Sequence, residues 1–249
     1  MKVVVVGGTG QVGRLLLPLL TAEGHEATAA SRSTGVDTIT GEGLTGALAG
    51  AHVVVDVTNA PVRGDDEVLA FFTTSTRNLL EAGRAAGVRH HIPLTIVGAD
   101  RNRESGYQRA KVAQEELVAA SGVPYTILRA TQFYPFLGTI ADVATVDGAV
   151  HAAATAFQPV AVEDVAAALA EYAVGAPANA IVDLAGPEKR PMTEFLRRFL
   201  EDTGDPRKVI EDPAATYFGA PLTDESLVPT GNHAERIGAL SYADWLARR

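Results

Sequence analysis

Residues 3–14 read VVVVGGTGQVGR, and this stretch decides the fold. Consecutive valines favour a buried strand, and the glycines that follow them favour a tight turn. Apolar residues at helical spacing from Gln11 to Ala22 then predict a helix that begins within the glycine motif. A strand, a glycine-rich turn and a helix N-terminus in this order bind phosphate, because the turn exposes backbone N–H groups and the helix adds partial positive charge.

The glycines at positions 7, 10 and 13 have the spacing G-x-x-G-x-x-G. Glycine permits the turn and lets backbone amides approach a pyrophosphate closely. A glycine-rich turn without a ligand is the alternative, but the strand–turn–helix context favours a dinucleotide. The residues that we expect to bind the cofactor here are Gly7, Thr9, Gly10, Gln11, Val12 and Gly13.

Apolar runs alternate with helical patterns and predict an α/β fold with a Rossmann-like, doubly wound parallel sheet. We expect an NADP-binding domain over residues 1–130, completed by a later strand near 181–184. Residues 131–249 are expected to form mainly a small C-terminal substrate-binding lobe. Residues 203–235 are rich in Pro, Gly and Asp and are expected to be loops. The other predicted strands are 3–6, 26–30, 53–57, 94–97 and 125–128, and the predicted helices are 11–22, 66–86, 108–121, 163–174 and 192–202.

The composition excludes several classes of function. A net charge of −9 without a basic run disfavours binding to nucleic acid or to an anionic membrane. The absence of cysteine excludes disulfides and thiol catalysis. No uncharged apolar run reaches the roughly 18 residues that span a bilayer, and the residues before the glycines are too few for a signal peptide. We therefore expect a cytoplasmic protein with a small-molecule partner, its oligomeric state open.

Four further motifs accompany the glycine loop: DVTN at 56–59, Tyr107-x-x-x-Lys111, LRATQF at 128–133 and PVAVEDV at 159–165. With the loop, they resemble the short-chain dehydrogenase/reductases, especially the atypical NmrA-like group, over most of the chain. The resemblance implies a Rossmann-like sheet, a nicotinamide cofactor and a small C-terminal substrate lobe. That group includes members that bind the cofactor without catalysis.

The end of the second strand reads Ser31-Arg32-Ser33 and lacks the carboxylate that an NAD site places on the ribose. An arginine between two hydroxyls suits a 2′-phosphate, and Arg14, one turn into the helix, could reach the same group. A solvated loop arginine is the alternative. The sequence therefore favours NADP(H) as the cofactor.

Tyr107 and Lys111 are four residues apart on a predicted helix and share one face. A reductase needs a proton donor for the oxygen that hydride transfer leaves negative, and a nearby ammonium lowers a tyrosine's pKa. The family pattern adds a serine on the preceding strand, where this chain has Thr95. We expect Tyr107 to donate the proton, Lys111 to orient the cofactor and Thr95 to assist. An ordinary helix tyrosine and a surface lysine are the alternatives.

Further candidates follow the strands at their carboxyl ends, where open α/β sheets bind ligands. Asp56, Thr58 and Asn59 would line the cofactor cleft, with a polar loop as the alternative. The resemblance places the loop after the fifth strand at the nicotinamide and substrate, so Gln132, Phe133 and Phe136 are expected to bind substrate. Packing within the small lobe is the alternative for the aromatic residues after Arg129, which are Phe133, Tyr134, Phe136, Phe157, Tyr217 and Phe218.

Two pairs of adjacent titratable residues are expected to have no role in the site. His90 and His91 are successive residues of a strand region and point to opposite faces, so we expect no metal site. Glu115 and Glu116 are adjacent on a helix and are expected to form a solvated face.

These patterns favour an NADPH-dependent reductase of a small, apolar carbonyl, enone or quinone compound. A non-catalytic NADP(H)-binding redox sensor and an isomerase or epimerase that uses NADP transiently are the alternatives.

Overall fold

The structure, a computed structural model, describes residues 1–62 and 64–248. Its strands are β1 (Lys2–Val6), β2 (Glu26–Ala30), β3 (Val53–Asp56), β4 (His90–Ile96), β5 (Thr126–Ala130), β6 (Thr145–Val146), β7 (Ala149–Ala152), β8 (Ala156–Phe157), β9 (Ala180–Ala185), β10 (Arg190–Pro191), β11 (Val209–Glu211) and β12 (Ala234–Ile237). Its α-helices are α1 (Gln11–Ala22), α2 (Leu44–Leu48), α3 (Asp65–Ala85), α4 (Gly106–Ala120), α5 (Leu137–Val143), α6 (Val162–Val174), α7 (Met192–Thr203) and α8 (Tyr242–Leu246).

The main sheet contains seven strands in the order β12-β9-β5-β4-β3-β1-β2. Every neighbouring pair is parallel. The chain leaves β1 toward β2 on one side and returns to β3 on the other, so the strand order reverses beside β1. Ligands bind beyond the carboxyl ends of the strands at such a point. The predicted Rossmann-like, doubly wound α/β fold is confirmed.

Both faces of the main sheet are apolar. Successive strand residues point to opposite sides, and in β1 the successive residues Val3 to Val6 are all apolar. Val3 and Val5 pack with Leu16 of α1 on the face that α1 and α6 cover. Val4 and Val6 pack on the opposite face with α2 and α3, and α4 packs beside α3. This double covering explains the unbroken run of valines in β1.

A small lobe lies beyond the main sheet and has its own apolar core. It contains a three-stranded sheet (β11-β7-β6), a two-stranded sheet (β10-β8) and the helices α5, α7 and α8. Tyr134 and Phe157 are fully buried in this core. For these two aromatics, packing in the lobe is therefore the correct interpretation.

The division of the chain at residue 130 is less sharp than expected. β9 completes the main sheet as expected, but β12 extends it further and α6 packs on it against α1. Residues 203–235 are not only loops, because they contain β11 and the start of β12. The pattern missed β12 because its sequence, AERI, is short and largely polar. β4 also begins earlier than expected, at the two histidines.

We predict that Gly13→Ala destabilises the protein, because a Cβ at this position would lie 2.4 Å from the Cα of Gly8. Overpacking of this kind costs about 1–3 kcal/mol of unfolding free energy, which urea denaturation of the cofactor-free protein measures. Gly83→Ala is the matched control, because its Cβ would meet Val88 at an ordinary 3.5 Å within α3. The control should be neutral or stabilising by up to about 1 kcal/mol, and equal effects of the two changes would contradict the packing argument.

Candidate functional site

The glycine loop joins β1 to α1 at the point where the strand order reverses. The N–H of Gly7 donates to the carbonyl of Ala30 at 2.8 Å, so the loop is fixed against the end of β2. A Cβ on Gly8 would lie 2.8 Å from the Val5 carbonyl, whereas one on Gly10 would meet only the Gly7 carbonyl, at 3.1 Å. Gly8 is thus needed for packing, and Gly10 faces the open side where a ligand would approach.

The start of α1 suits an anion. Gly10 caps the helix without a side-chain hydrogen bond, and the first turn contains no acidic residue. Thr9 is half-buried and Gln11 is exposed, whereas the Val12 side chain lies in the main core. Val12 can therefore contribute only its backbone N–H. These open amides at a helix N-terminus fit the pyrophosphate of a dinucleotide.

Ser31, Arg32 and Ser33 follow β2 directly, at the same edge of the sheet as the glycine loop. The hydroxyls of Ser31 and Ser33 lie 2.9 Å apart, and the Ser31 N–H donates to Thr34 Oγ1 at 2.9 Å. Arg32 is exposed in a 3₁₀ turn. The segment presents two hydroxyls and a guanidinium, and no carboxylate, beside the loop.

A buried polar chain leads from the end of β3 to α4. Asp56 is 1% exposed and accepts from the Thr58 hydroxyl at 2.7 Å and from Gln114 Nε2 at 3.0 Å. The Lys111 Nζ donates to Gln114 Oε1 at 2.7 Å and lies 4.1 Å from the centre of the Phe72 ring. Burial lowers the pKa of Lys111 to about 8, against the opposing effects of Asp56 and Glu115.

Tyr107 begins this face of α4, and 36% of its surface is exposed. Its hydroxyl donates to Asn59 Oδ1 at 3.3 Å, and its ring packs edge-on against Phe72. Desolvation of the hydroxyl raises the pKa of Tyr107 to about 12. The expected lowering by Lys111 is absent, because the ammonium of Lys111 is directed to Gln114 and Phe72.

Thr95 does not lie where the sequence analysis expected it. Its hydroxyl donates to Glu115 Oε1 at 2.6 Å, and Glu115 lies two helical turns beyond Tyr107, roughly 12 Å along the helix axis. The structure therefore does not support an assisting role for Thr95 beside Tyr107. Its hydroxyl belongs to a buried hydrogen-bond network with Glu115 and Arg129.

Glu115 is also a correction, since it is 5% exposed and does not form a solvated face. Both of its oxygens accept from the buried guanidinium of Arg129, at 2.9 and 2.6 Å, and Arg129 also pairs with Asp100 at 3.0 Å. These carboxylates raise the pKa of Arg129 against the opposing effect of burial. Glu116 is exposed, as expected.

The loop after β5 meets the small lobe. Gln132 is 4% exposed. The Phe136 ring is 38% exposed and stacks on Phe218 at 5.7 Å, whereas Phe133 packs partly buried against the main core. The structure thus brings Gln132 and Phe136, but not the side chain of Phe133, toward the aromatic residues of the lobe.

Gln114 was not assigned from the sequence, and Tyr217 was named there only among the aromatic residues after Arg129. Gln114 connects Lys111 to Asp56, and its position three residues after Lys111 on one helix face was an available signal. Tyr217 is 9% exposed, and its pKa is raised by burial, with a further contribution from the Tyr107 phenol. Only the tertiary structure places these two tyrosines near each other.

The paired histidines occupy buried positions in β4. His90 Nε2 and the Thr126 hydroxyl lie 2.9 Å apart, and burial lowers the pKa of His90 to about 4. Burial also lowers the pKa of His91, against the opposing charge of Asp56. Within residues 1–62 and 64–248, no group of three or more His, Asp or Glu side chains is arranged to hold a metal ion.

None of the helices in the described part of the chain has both the length and the apolar character needed to cross a bilayer.

An open phosphate loop at the switch point of a parallel sheet, with a Tyr/Lys pair near the same edge, defines a dinucleotide-binding α/β protein. The profile of the NAD(P)H-binding family matches residues 7–174. The chain therefore belongs to the NAD(P)H-binding family, and its fold is that of the short-chain dehydrogenase/reductase type.

Solved structures share this fold at low sequence identity. A short-chain dehydrogenase/reductase superfamily protein from Agrobacterium tumefaciens with bound NAD is 18% identical, with a TM-score of 0.67 over 85% of each chain. The triphenylmethane reductase of Citrobacter sp., complexed with NADP(H), is 21% identical, with a TM-score of 0.64 over 86% of this chain and 80% of that one.

The chain also has a curated relative, the photosystem II assembly factor Ycf39 of Cyanophora paradoxa. The two are 25% identical over 148 residues. The matched region is 54% of this chain and 46% of that protein, so the chain spans less than half of its relative's length.

We predict that Lys111 loses its proton with a midpoint near pH 8, because burial disfavours the ammonium. The ¹³Cε resonance of Lys111, assigned by its loss in Lys111→Arg, reports the titration. Asp56→Asn should lower the midpoint further, since the Asp56 charge raises this pKa. A midpoint near 10.5, the ordinary value, or an unchanged midpoint in Asp56→Asn, would contradict the arrangement described.

Proposed function

We propose that the protein is an NADPH-dependent reductase of a small, apolar carbonyl, enone or quinone compound. The observation that carries the proposal is the position of Tyr107 and Lys111 on one face of α4, connected through Asn59, Gln114 and Asp56 to the end of β3. This places a phenol and an ammonium at the carboxyl edge of the sheet, where ligands bind.

When bound, NADPH would supply the hydride for the reduction. The N–H groups of Gly7, Gly8 and Gly10 donate to backbone carbonyls, so the amides in the first turn of α1 would hold its pyrophosphate, with Ser31, Arg32 and Ser33 at its 2′-phosphate. Thr58 and Asn59 would line the adjacent edge of the cleft, and the buried Asp56 would support them through its bond to the Thr58 hydroxyl. Lys111, fixed by Gln114 and Phe72, would orient the nicotinamide ribose by its N–H donors.

Tyr107 suits the role of proton donor. Its pKa of about 12 keeps the phenol protonated at neutral pH. As hydride from NADPH added to the substrate carbonyl carbon and the C=O π bond opened, Tyr107 would give its phenol proton to the carbonyl oxygen. Solvent would then return a proton to Tyr107, so one carbonyl would become an alcohol for each NADPH oxidised to NADP⁺.

The substrate is expected to be apolar because aromatic residues border this end of the cleft. Phe136 and Phe218 stack at the surface with more than a third of each residue exposed. Small-molecule pockets combine such apolar walls with few polar groups. Gln132 is the polar residue that the loop after β5 contributes.

A non-catalytic NAD(P)H-binding protein that regulates a partner is the second candidate. The similarity to a protein named as an assembly factor favours it. Tight NADPH binding together with no NADPH oxidation on any carbonyl, enone or quinone of a broad panel would support this candidate over the reductase.

For the cofactor, we predict that NADPH binds more tightly than NADH by roughly ten- to a hundredfold, because one charged phosphate contact is worth about 1.5–3 kcal/mol. Arg32→Ala should remove most of this preference, as measured by calorimetric titration with both nucleotides. Arg89→Ala is the control, because this exposed arginine precedes β4 at the opposite edge of the sheet. Equal affinity of the unmodified protein for NADPH and NADH would refute NADP specificity.

For catalysis, we predict that Tyr107→Phe retains NADPH binding but lowers kcat by about 10²–10⁴, the usual value of general acid catalysis. The phenylalanine keeps the edge-on contact with Phe72, so the change removes only the hydroxyl. Lys111→Ala should weaken both cofactor binding and turnover. Reduction at an unchanged rate by Tyr107→Phe would show that the proton comes from another donor.

A further inference from the structure

The Gln132 side chain is a buried amide. It is 4% exposed, and among residues 1–62 and 64–248 neither Nε2 nor Oε1 meets a partner at full hydrogen-bond geometry, although the amide interacts with the Tyr217 phenol. The residue is held in place because its backbone carbonyl accepts from the Val160 N–H at 2.8 Å. Burying an unsatisfied amide is costly, and such groups in native structures call for a functional explanation. The amide therefore points to a ligand.

Residues 217–220, here called the aromatic hairpin, face this amide from the small lobe. Tyr217 and Ala220 exchange backbone hydrogen bonds at 2.8 and 3.1 Å. Phe218 and Gly219 both have positive φ, at 50° and 84°, as a tight two-residue hairpin turn requires. The turn places the Phe218 ring outside, stacked on Phe136, and leaves Tyr217 buried at 9% exposure.

The segment after the aromatic hairpin is fixed to the nucleotide-binding part of the molecule. Arg101 donates to the carbonyls of Glu225 and Val228 at 3.0 and 2.7 Å. The carbonyl of Ser226 lies so close to Gly98 that a Cβ there would meet it at 2.0 Å. These contacts hold residues 225–228 against the loop that precedes α4.

The loop after β5 and the aromatic hairpin lie against each other, because the Phe136 and Phe218 rings stack at 5.7 Å and the Tyr217 ring packs on Phe218 at 4.9 Å. Three neutral polar groups therefore lie close together. The interactions of the Tyr217 phenol with the Gln132 amide and with the Tyr107 phenol agree with this arrangement. The Gln132 amide approaches the Tyr217 phenol without reaching full hydrogen-bond geometry. Both phenols are protonated at neutral pH and, with the Gln132 amide, can donate to oxygen.

We propose that Tyr217 and Gln132 form an anchoring pair for a second oxygen atom of the substrate, distinct from the carbonyl oxygen that receives the Tyr107 proton. The inference rests on the proposed reductase function and deepens it. Because the three donors carry no charge and aromatic rings lie beside them, the substrate class is an uncharged ring with two oxygen acceptors.

The test compares cyclohexane-1,4-dione with cyclohexanone, which differ by the second oxygen. We expect the unmodified protein to prefer the dione about tenfold in kcat/KM, after correction for its two equivalent carbonyls. Tyr217→Phe and Gln132→Leu should each lower kcat/KM for the dione about five- to tenfold, chiefly through KM. Both should lower kcat/KM for cyclohexanone by a clearly smaller factor, since that ketone lacks the second oxygen. Tyr125→Phe removes a phenol hydroxyl at the opposite edge of the sheet and serves as the matched control.

Affinity measurements separate the outcomes. NADPH titrations should give the same affinity in both variants, and a loss of NADPH affinity would overturn the inference by assigning the pair to the cofactor. Equal losses on both ketones would also overturn it. Saturation-transfer NMR on the NADP⁺-loaded protein measures ketone binding without turnover. Selective dione binding that the variants lose supports the pair even where the reductase proposal fails, and equal binding of both ketones refutes it.

Discussion

The arrangement of the site depends on one steric contact, the approach of Gly13 to Gly8. No side chain fits between these residues, since a Cβ on Gly13 would lie 2.4 Å from the Gly8 Cα. The contact presses the start of α1 against the end of β1, and the same loop is fixed to β2 through the Gly7–Ala30 hydrogen bond. The contact therefore positions the open amides at the start of α1 beside the hydroxyls that follow β2. Both lie where the strand order reverses.

One face of α4 carries both candidate reactive residues and a buried ion pair that stabilises the fold. Tyr107, Lys111 and Glu115 recur every four residues and face the same side of the helix. The first two are candidates for the reaction, and the third forms a bidentate pair with Arg129 inside the sheet. Removing one partner of a buried ion pair usually costs about 3–5 kcal/mol. The Glu115–Arg129 pair therefore fixes the position of α4 along its axis and its rotation about that axis, and so the position of Tyr107 and Lys111.

The sequence predicted the parallel sheet, the glycine loop and the Tyr107/Lys111 face, because each depends on local spacing. It failed where burial of polar groups depends on distant partners. In the sequence, Glu115 looks like a surface residue, because its partner Arg129 is distant along the chain. Thr95 stands where the family pattern has a serine, but its hydroxyl donates to Glu115. β12 was missed because its edge position requires little apolar character. Tyr217 was visible only as an aromatic residue, since a turn more than 100 residues away in sequence brings it near Tyr107.

The path of the chain also has a consequence for biosynthesis. The glycine loop and the Tyr107/Lys111 face lie within the first half of the sequence, whereas the aromatic hairpin and β12 lie within the last 40 residues. During translation, β1 to β5 can pair and present the dinucleotide half of the cleft while the far wall is still inside the ribosome. The nucleotide half is thus made before the substrate half, and the nascent chain can gain a stabilising ligand before it can discriminate among substrates.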